Sequence, residues 1–128
     1  MILDTTFLID LYREMASRRR TGARAFLERS RVEQYSISFI SEGEFGCGIS
    51  VERRQEMQVF LRPYRVLEYS SEIAWTYSRI YRALQASGSL IGANDMWISA
   101  TALAHAMPIV TRNAADFRRV PDLEVIGY

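Results

Sequence analysis

The sequence contains no lysine: all sixteen basic residues among its 128 positions are arginine. That absence excludes several chemistries together. A P-loop needs its lysine on the β- and γ-phosphates, and pyridoxal enzymes and Schiff-base aldolases need an amine nucleophile. A receiver-type acidic pocket also uses a lysine. One cysteine, Cys47, cannot form an internal disulfide, and one histidine, His105, cannot build a Cys/His zinc site. These scarcities fit a reducing cytoplasm. No apolar run approaches the roughly 18–20 residues that span a membrane. The opening Met1-Ile2-Leu3-Asp4 lacks the basic leader of a signal peptide, so neither a membrane span nor secretion is expected.

What is present suits a single globular domain over residues 1–128, with 48% hydrophobic and 24% charged residues. Sixteen arginines against fifteen acids leave a net charge of +1, a balance that does not by itself favour a nucleic-acid partner.

Short apolar runs alternate with helical patterns. Met1-Ile2-Leu3 reads as a buried strand, followed by a helix carrying Phe7, Leu8, Leu11 and Tyr12, with Thr5 or Thr6 as a cap. Tyr35, Ile37 and Phe39 alternate with serines as in a strand. Helical sequence from about Ser41 to Leu61 is interrupted near Gly46 and Gly48, and Arg65 to Tyr69 is a further strand. Ile73, Tyr77, Ile80, Tyr81 and Leu84 recur at the helical period over Glu72–Gln85, with Gly88 as the stop. A small-residue helix covers Ala93–Ala106, and the last strands are Pro108-Ile109-Val110 and Leu123–Ile126. Strands alternating with helices imply a three-layer α/β/α domain with a mainly parallel central sheet.

Open parallel sheets bind ligands beyond the carboxyl ends of their strands. Asp4 follows the first strand, Glu42 and Glu44 the second, and Asn113 and Asp116 the strand ending at Val110, while Asp95 opens the helix before that strand. Each acid alone has an ordinary explanation: Asp4 and Asp95 as helix caps, Asn113 and Asp116 as a weak capping box, Glu44 as a solvated helical residue. Together at one edge they repel, and a cation is needed to offset them. Oxygen ligands without His or Cys select Mg²⁺ or Mn²⁺ over zinc. His105 reads as a partner for its helix C-terminus and Cys47 as a small packed residue.

Three blocks carry a family resemblance: Leu3-Asp4-Thr5-Thr6-Phe7-Leu8-Ile9; Ile40-Ser41-Glu42-Gly43-Glu44-Phe45-Gly46-Cys47-Gly48; and Asn94-Asp95-Met96-Trp97-Ile98 with Ile109-Val110-Thr111-Arg112-Asn113-Ala114-Ala115-Asp116-Phe117. In order and spacing the chain resembles PIN domains, and among them the small ribonuclease toxins of the VapC type. The resemblance assigns the catalytic, metal-binding acids to Asp4, Glu44, Asp95 and Asp116. Glu44, four residues before Gly48, is the better match than Glu42. Thr5, Thr111, Asn113 and Glu42 are expected to stand behind these ligands and orient them. Position 6 is Thr where many relatives have Asn, a departure that bears on helix capping.

The implied activity is Mg²⁺- or Mn²⁺-dependent endoribonuclease cleavage, in which a metal-activated water attacks in line and leaves a 5′-phosphate and a 3′-hydroxyl. The implied partners are an RNA substrate, a cognate antitoxin protein and a second copy in a homodimer. Tyr12, Phe45 and Trp97 offer apolar surface for an antitoxin segment, with core packing as their other reading. Seven arginines lie between Arg13 and Arg31. A solvated helix–loop–helix face explains them as well as function does, but Arg18, Arg19 and Arg20 suit RNA phosphates, as does Arg112 beside the acids. Two rivals remain. One is a non-catalytic PIN-like module that binds RNA or protein. The other, an aspartyl-nucleophile phosphatase, lacks its second aspartate in Asp4-Thr5-Thr6 and its lysine altogether.

Overall fold

The computed structural model describes residues 1–17 and 20–128; Arg18 and Arg19 lie outside the described residues. Five short strands, β1 (Ile2–Leu3), β2 (Ser36–Ser38), β3 (Arg65–Leu67), β4 (Ile109–Val110) and β5 (Val125–Ile126), form one sheet in the order β3-β2-β1-β4-β5. All four pairings are parallel. Parallel neighbours need long crossovers, because the chain must return to its starting end before pairing again. Helices α1 (Thr5–Ala16) and α2 (Ala23–Arg29) make the first crossover. Helix α3 (Phe39–Cys47), a 3-10 turn at Val51–Arg53 and α4 (Arg54–Leu61) make the second. Helices α5 (Ser71–Ala86) and α6 (Ala93–Ala104) make the third, and α7 (Ala114–Phe117) precedes β5.

Alternation along the strands sorts the core into two layers. Leu3 pairs in register with Ile37 and Val110, and all three meet Phe7, Leu8 and Leu11 of α1, with Phe45 and Leu61, on one face. Ile2 pairs with Ile109, and both point the other way, toward Ile98 and Ala102 of α6 and Phe117 of α7. A third cluster locks α5 to α6 through Ile73, Ile80, Leu84, Met96 and Ala100. The sheet is therefore covered on both sides, as the near-continuous apolar character of its central strands requires.

Two local signals shift the boundaries expected from periodicity. Ser38 caps α3, its hydroxyl accepting from the Ser41 N–H at 2.9 Å, so Phe39 is already helical and β2 ends one residue earlier than its alternation suggests. Ser70 caps α5 by accepting from the Ile73 N–H at 3.2 Å, and Gly88, at φ +64°, turns the chain just past the end of that helix.

The strand order fixes where a site can form. The chain steps outward from β1 through β2 to β3, then crosses to the opposite side of β1 for β4 and β5. That reversal opens a crevice beyond the carboxyl ends of β1 and β4. Asp4 leaves β1 there, and Thr111 leaves β4.

Candidate active site

Asp4 is buried and its two carboxylate oxygens have separate duties. Oδ1 accepts from the Thr5 N–H at 2.6 Å, which makes Asp4 the N-cap of α1. Oδ2 accepts from the hydroxyls of Thr6, at 2.8 Å, and Thr111, at 2.7 Å. Burial pushes the Asp4 carboxyl above the ordinary aspartate range, and the donors from Thr111, Thr6 and Thr5 pull the other way. Thr111 in turn accepts from the Asn113 N–H at 2.9 Å, and the Asn113 side-chain amide donates to Asp116 Oδ2 at 3.1 Å. One tripeptide, Thr111-Arg112-Asn113, thus orients two acids.

Glu44 reaches the same place from α3. Its Oε2 accepts from the Thr5 hydroxyl at 2.5 Å and its Oε1 from the Asn94 side-chain amide at 2.7 Å. Glu42 does not line the pocket. Two residues along a helix turn the side chain by about 200°, so Glu42 and Glu44 cannot share a face. Asp95 sits in the first turn of α6 and is half-buried. Burial, then the charges of Asp4, Glu44 and Asp116, push its carboxyl from 3.8 up to about 6. Asp95 therefore senses the other three acids, although the four come from separate segments.

Asp4, Thr5, Thr6, Glu44, Asn94, Asp95 and Asn113, together with Ile9 and Cys47, line a pocket of about 530 Å³. No arginine is among these lining residues. Arg119 approaches Asp116 from outside, at 3.6 Å. Hard oxygen donors in a pocket that no arginine lines suit Mg²⁺ or Mn²⁺. Among the described residues, no three acid, His or Cys side chains form a ready-made metal cage. The carboxylates of Asp4, Glu44 and Asp116 are engaged by hydroxyl and amide donors instead. This arrangement is compatible with Mg²⁺, which retains several waters and takes only one or two carboxylates directly.

Some expected roles change. Cys47 is exposed at the pocket edge, not packed as a small core residue, because α3 ends there with its last turn open to solvent. Tyr12, Phe45 and Trp97 do not make one groove. Phe45 is buried and meets Tyr12 edge-on at 5.5 Å and Phe60 in a stack at 5.0 Å, whereas Trp97 stacks on Tyr77 at 4.2 Å in the α5–α6 layer. His105 caps α6, its Nδ1 lying 2.9 Å from the Thr101 carbonyl oxygen. Arg20 is exposed and lines a separate hollow with Glu14 and Arg24. Asn94 and Thr6 are contributors that the sequence reading did not single out as site residues. Their position beside Asp95 and Asp4 was the available signal.

The PIN domain family model matches residues 1–123. Ribonuclease VapC2 of Rickettsia felis is 29% identical over 93 residues, covering 69% of each chain. Among solved structures, VapBC2 from Rickettsia felis bound to a DNA fragment from their promoter superposes with a TM-score of 0.84 at 24% identity, covering 99% of this chain and 97% of that one. A toxin-antitoxin complex from Klebsiella pneumoniae gives a TM-score of 0.76 at 27% identity, covering 98% and 94%. A family match across nearly the whole length, on a parallel sheet whose switch point gathers Asp4, Glu44, Asp95 and Asp116, shows that the chain belongs to the PIN domain family.

Proposed function

We propose that this protein is a Mg²⁺- or Mn²⁺-dependent endoribonuclease, the toxin of a toxin–antitoxin pair. The observation that carries the reading is geometric: Asp4, Glu44 and Asp95 line one pocket beyond the carboxyl ends of the strands, and Asn113 of the same lining holds Asp116. Asp4, Glu44, Asp95 and Asp116 are the residues that would hold the metal. When bound, the ion supplies a water activated for attack and offsets charge on the phosphate. Thr111 and Thr6 fix the rotamer of Asp4, Thr5 and Asn94 that of Glu44, and Asn113 that of Asp116. Preset carboxylates need little reorganisation when the phosphodiester arrives. No side-chain nucleophile is required, which agrees with the missing lysine.

The relatives named as ribonucleases support RNA as substrate, and the solved toxin–antitoxin neighbours support an antitoxin partner. An antitoxin arginine entering the pocket can compete with metal for the carboxylates. A homodimer acting in the cytoplasm completes the reading. Of the fifteen acids, four committed to metal leave eleven against sixteen arginines, so the near-neutral total conceals an acidic pocket in a basic surround.

The test is cleavage of a labelled single-stranded RNA by purified protein in Mg²⁺, with chelator and with Asp4→Asn and Asp95→Asn. Loss of cutting in all three, with folding intact, is expected. Equal cutting by wild type and variants in Mg²⁺ overturns the assignment. RNA binding without cutting at any metal concentration favours the non-catalytic module.

A further inference from the structure

Beside the acid pocket lies a second, differently built charge cluster. Asp10, on α1, is 0% exposed. Its Oδ2 accepts from Arg112 Nη1 at 2.7 Å and from the Tyr128 hydroxyl at 2.9 Å. Its Oδ1 is buried and has no hydrogen-bond partner among the described residues. Tyr128 is itself anchored, its ring meeting Phe7 edge-on at 4.7 Å.

Stability alone does not call for this arrangement. Desolvating a carboxylate costs several kcal/mol, roughly, and an incompletely satisfied ion pair often does no better than an apolar residue of the same size. The pair does achieve placement. Arg112 lies between Thr111 and Asn113, the residues that hold Asp4 and Asp116. Its backbone N–H donates to the Thr6 hydroxyl at 3.4 Å, and the same hydroxyl donates to Asp4. Thr6 and Asp10 stand one turn apart on one face of α1, about 6 Å along the axis. The Arg112 side chain is therefore stretched along the helix, away from the acids, with its tip tied to Asp10. It remains 57% exposed. A guanidinium carries five N–H donors, so tethering one nitrogen leaves the others open to a phosphate.

We propose that Asp10 and Tyr128 are positioning residues that hold Arg112 as a fixed phosphate-binding arm at the rim of the acid pocket. The proposal rests on the RNA-cleaving reading and adds how the substrate strand is seated. A pocket lined by Asp4, Glu44 and Asp95, with Asp116 held behind Asn113, repels a polyanion, and a cation free to swing inward would pair with those carboxylates instead. The buried Asp10 prevents that collapse. It holds the positive charge about 9 Å along α1 from Asp4, where a neighbouring phosphate of the strand can meet it.

Losing Asp10 makes the protein more positive by one charge, so unspecific electrostatics predicts equal or tighter RNA binding by Asp10→Asn. Positioning predicts weaker binding. The experiment is steady-state cleavage of a single-stranded RNA oligonucleotide in saturating Mg²⁺ by wild type, Arg112→Gln, Asp10→Asn, Tyr128→Phe and the Asp10→Asn/Arg112→Gln double variant, with melting curves for each. Arg112→Gln is expected to raise KM by about tenfold, on the scale of one charge-assisted phosphate contact. Asp10→Asn is expected to raise it several-fold and Tyr128→Phe less, with kcat nearly constant. The double variant should be no worse than Arg112→Gln. Tyr128→Phe and Arg112→Lys keep the proposal testable if Asp10→Asn does not fold; loss of the guanidinium fork should raise KM in Arg112→Lys. A wild type that cleaves RNA while Asp10→Asn, or Tyr128→Phe in its place, keeps or lowers KM overturns this proposal alone. A wild type that cleaves no RNA overturns it together with the reading beneath it.

Discussion

The hydroxyl of Thr111 donates to Asp4 Oδ2 at 2.7 Å, joining residues 107 positions apart. This single bond bridges the two strand ends at which the sheet order reverses. It ties the chemistry of the pocket to the pairing of β1 with β4.

Thr111→Val removes that donor while keeping the shape of the side chain. It also deprives the Asn113 N–H of its acceptor, a loss on the order of 1 kcal/mol. Asp4 then retains a higher proton affinity and a looser rotamer. Cleavage is expected to fall about 10- to 100-fold, the usual scale for losing a residue that orients a metal ligand. Parallel kinetics and Mg²⁺ titrations check it; unchanged values for both refute the role.

Asp95 makes stability depend on pH in an unusual direction. Its carboxyl is raised from 3.8 to about 6, so the folded chain holds that proton more tightly than the unfolded chain. The penalty is absent below the unfolded value, grows as pH rises through the interval, and is complete above about 6. Relative to Asp95→Asn, metal-free wild type should therefore lose stability as pH rises from about 4 to about 6, with little further change at higher pH. Asp95→Asn should be the more stable protein at pH 7.5 and should flatten this part of the profile. Melting curves in chelator decide the matter, and parallel profiles for the two proteins refute it. Added Mg²⁺ should narrow the gap by stabilising wild type.

The two glutamates of α3 should separate cleanly. Glu44→Gln is expected to abolish cleavage and Glu42→Gln to leave it within about twofold, because a turn of roughly 200° puts the latter on another face. Asn94→Ala, which frees Glu44 Oε1, should lower kcat by about tenfold. Single-turnover rates at saturating metal measure all three. A loss for Glu42→Gln equal to that for Glu44→Gln contradicts the geometry.

Phe7 is fully buried between the edge-on rings of Phe26, at 5.7 Å, and Tyr128. Phe7→Ala should cost about 3–5 kcal/mol. Urea unfolding gives the value directly. A loss below about 1 kcal/mol means the cavity has been refilled.

Most of the architecture was legible because its signals are local. Alternation at Ser36–Ser38, helical period over α5 and the acids placed just beyond apolar runs all act within a few residues. The strand order, and hence which strand ends meet, depends on crossovers that no local pattern encodes. The pairing of Glu44 with Asn94 spans fifty residues and could only be seen folded. The burial of Asp10 was illegible for the same reason. Within α1 it reads as an ordinary polar position, and its partners arrive from beyond β4 and β5. Phe39 was misplaced by its alternation because a single serine cap outweighs one apolar position at a strand end.

Asp4 serves the fold and the pocket with different oxygens, and this makes the acids unequal under mutation. A change at position 4 to anything that cannot cap α1 is expected to remove activity and about 1 kcal/mol of stability together. A change at position 95 that removes the charge is expected to silence the pocket and to strengthen the fold. Under the proposed function, chains inactivated through position 4 should also be the less stable ones. Those inactivated through position 95 should be durable, inert copies.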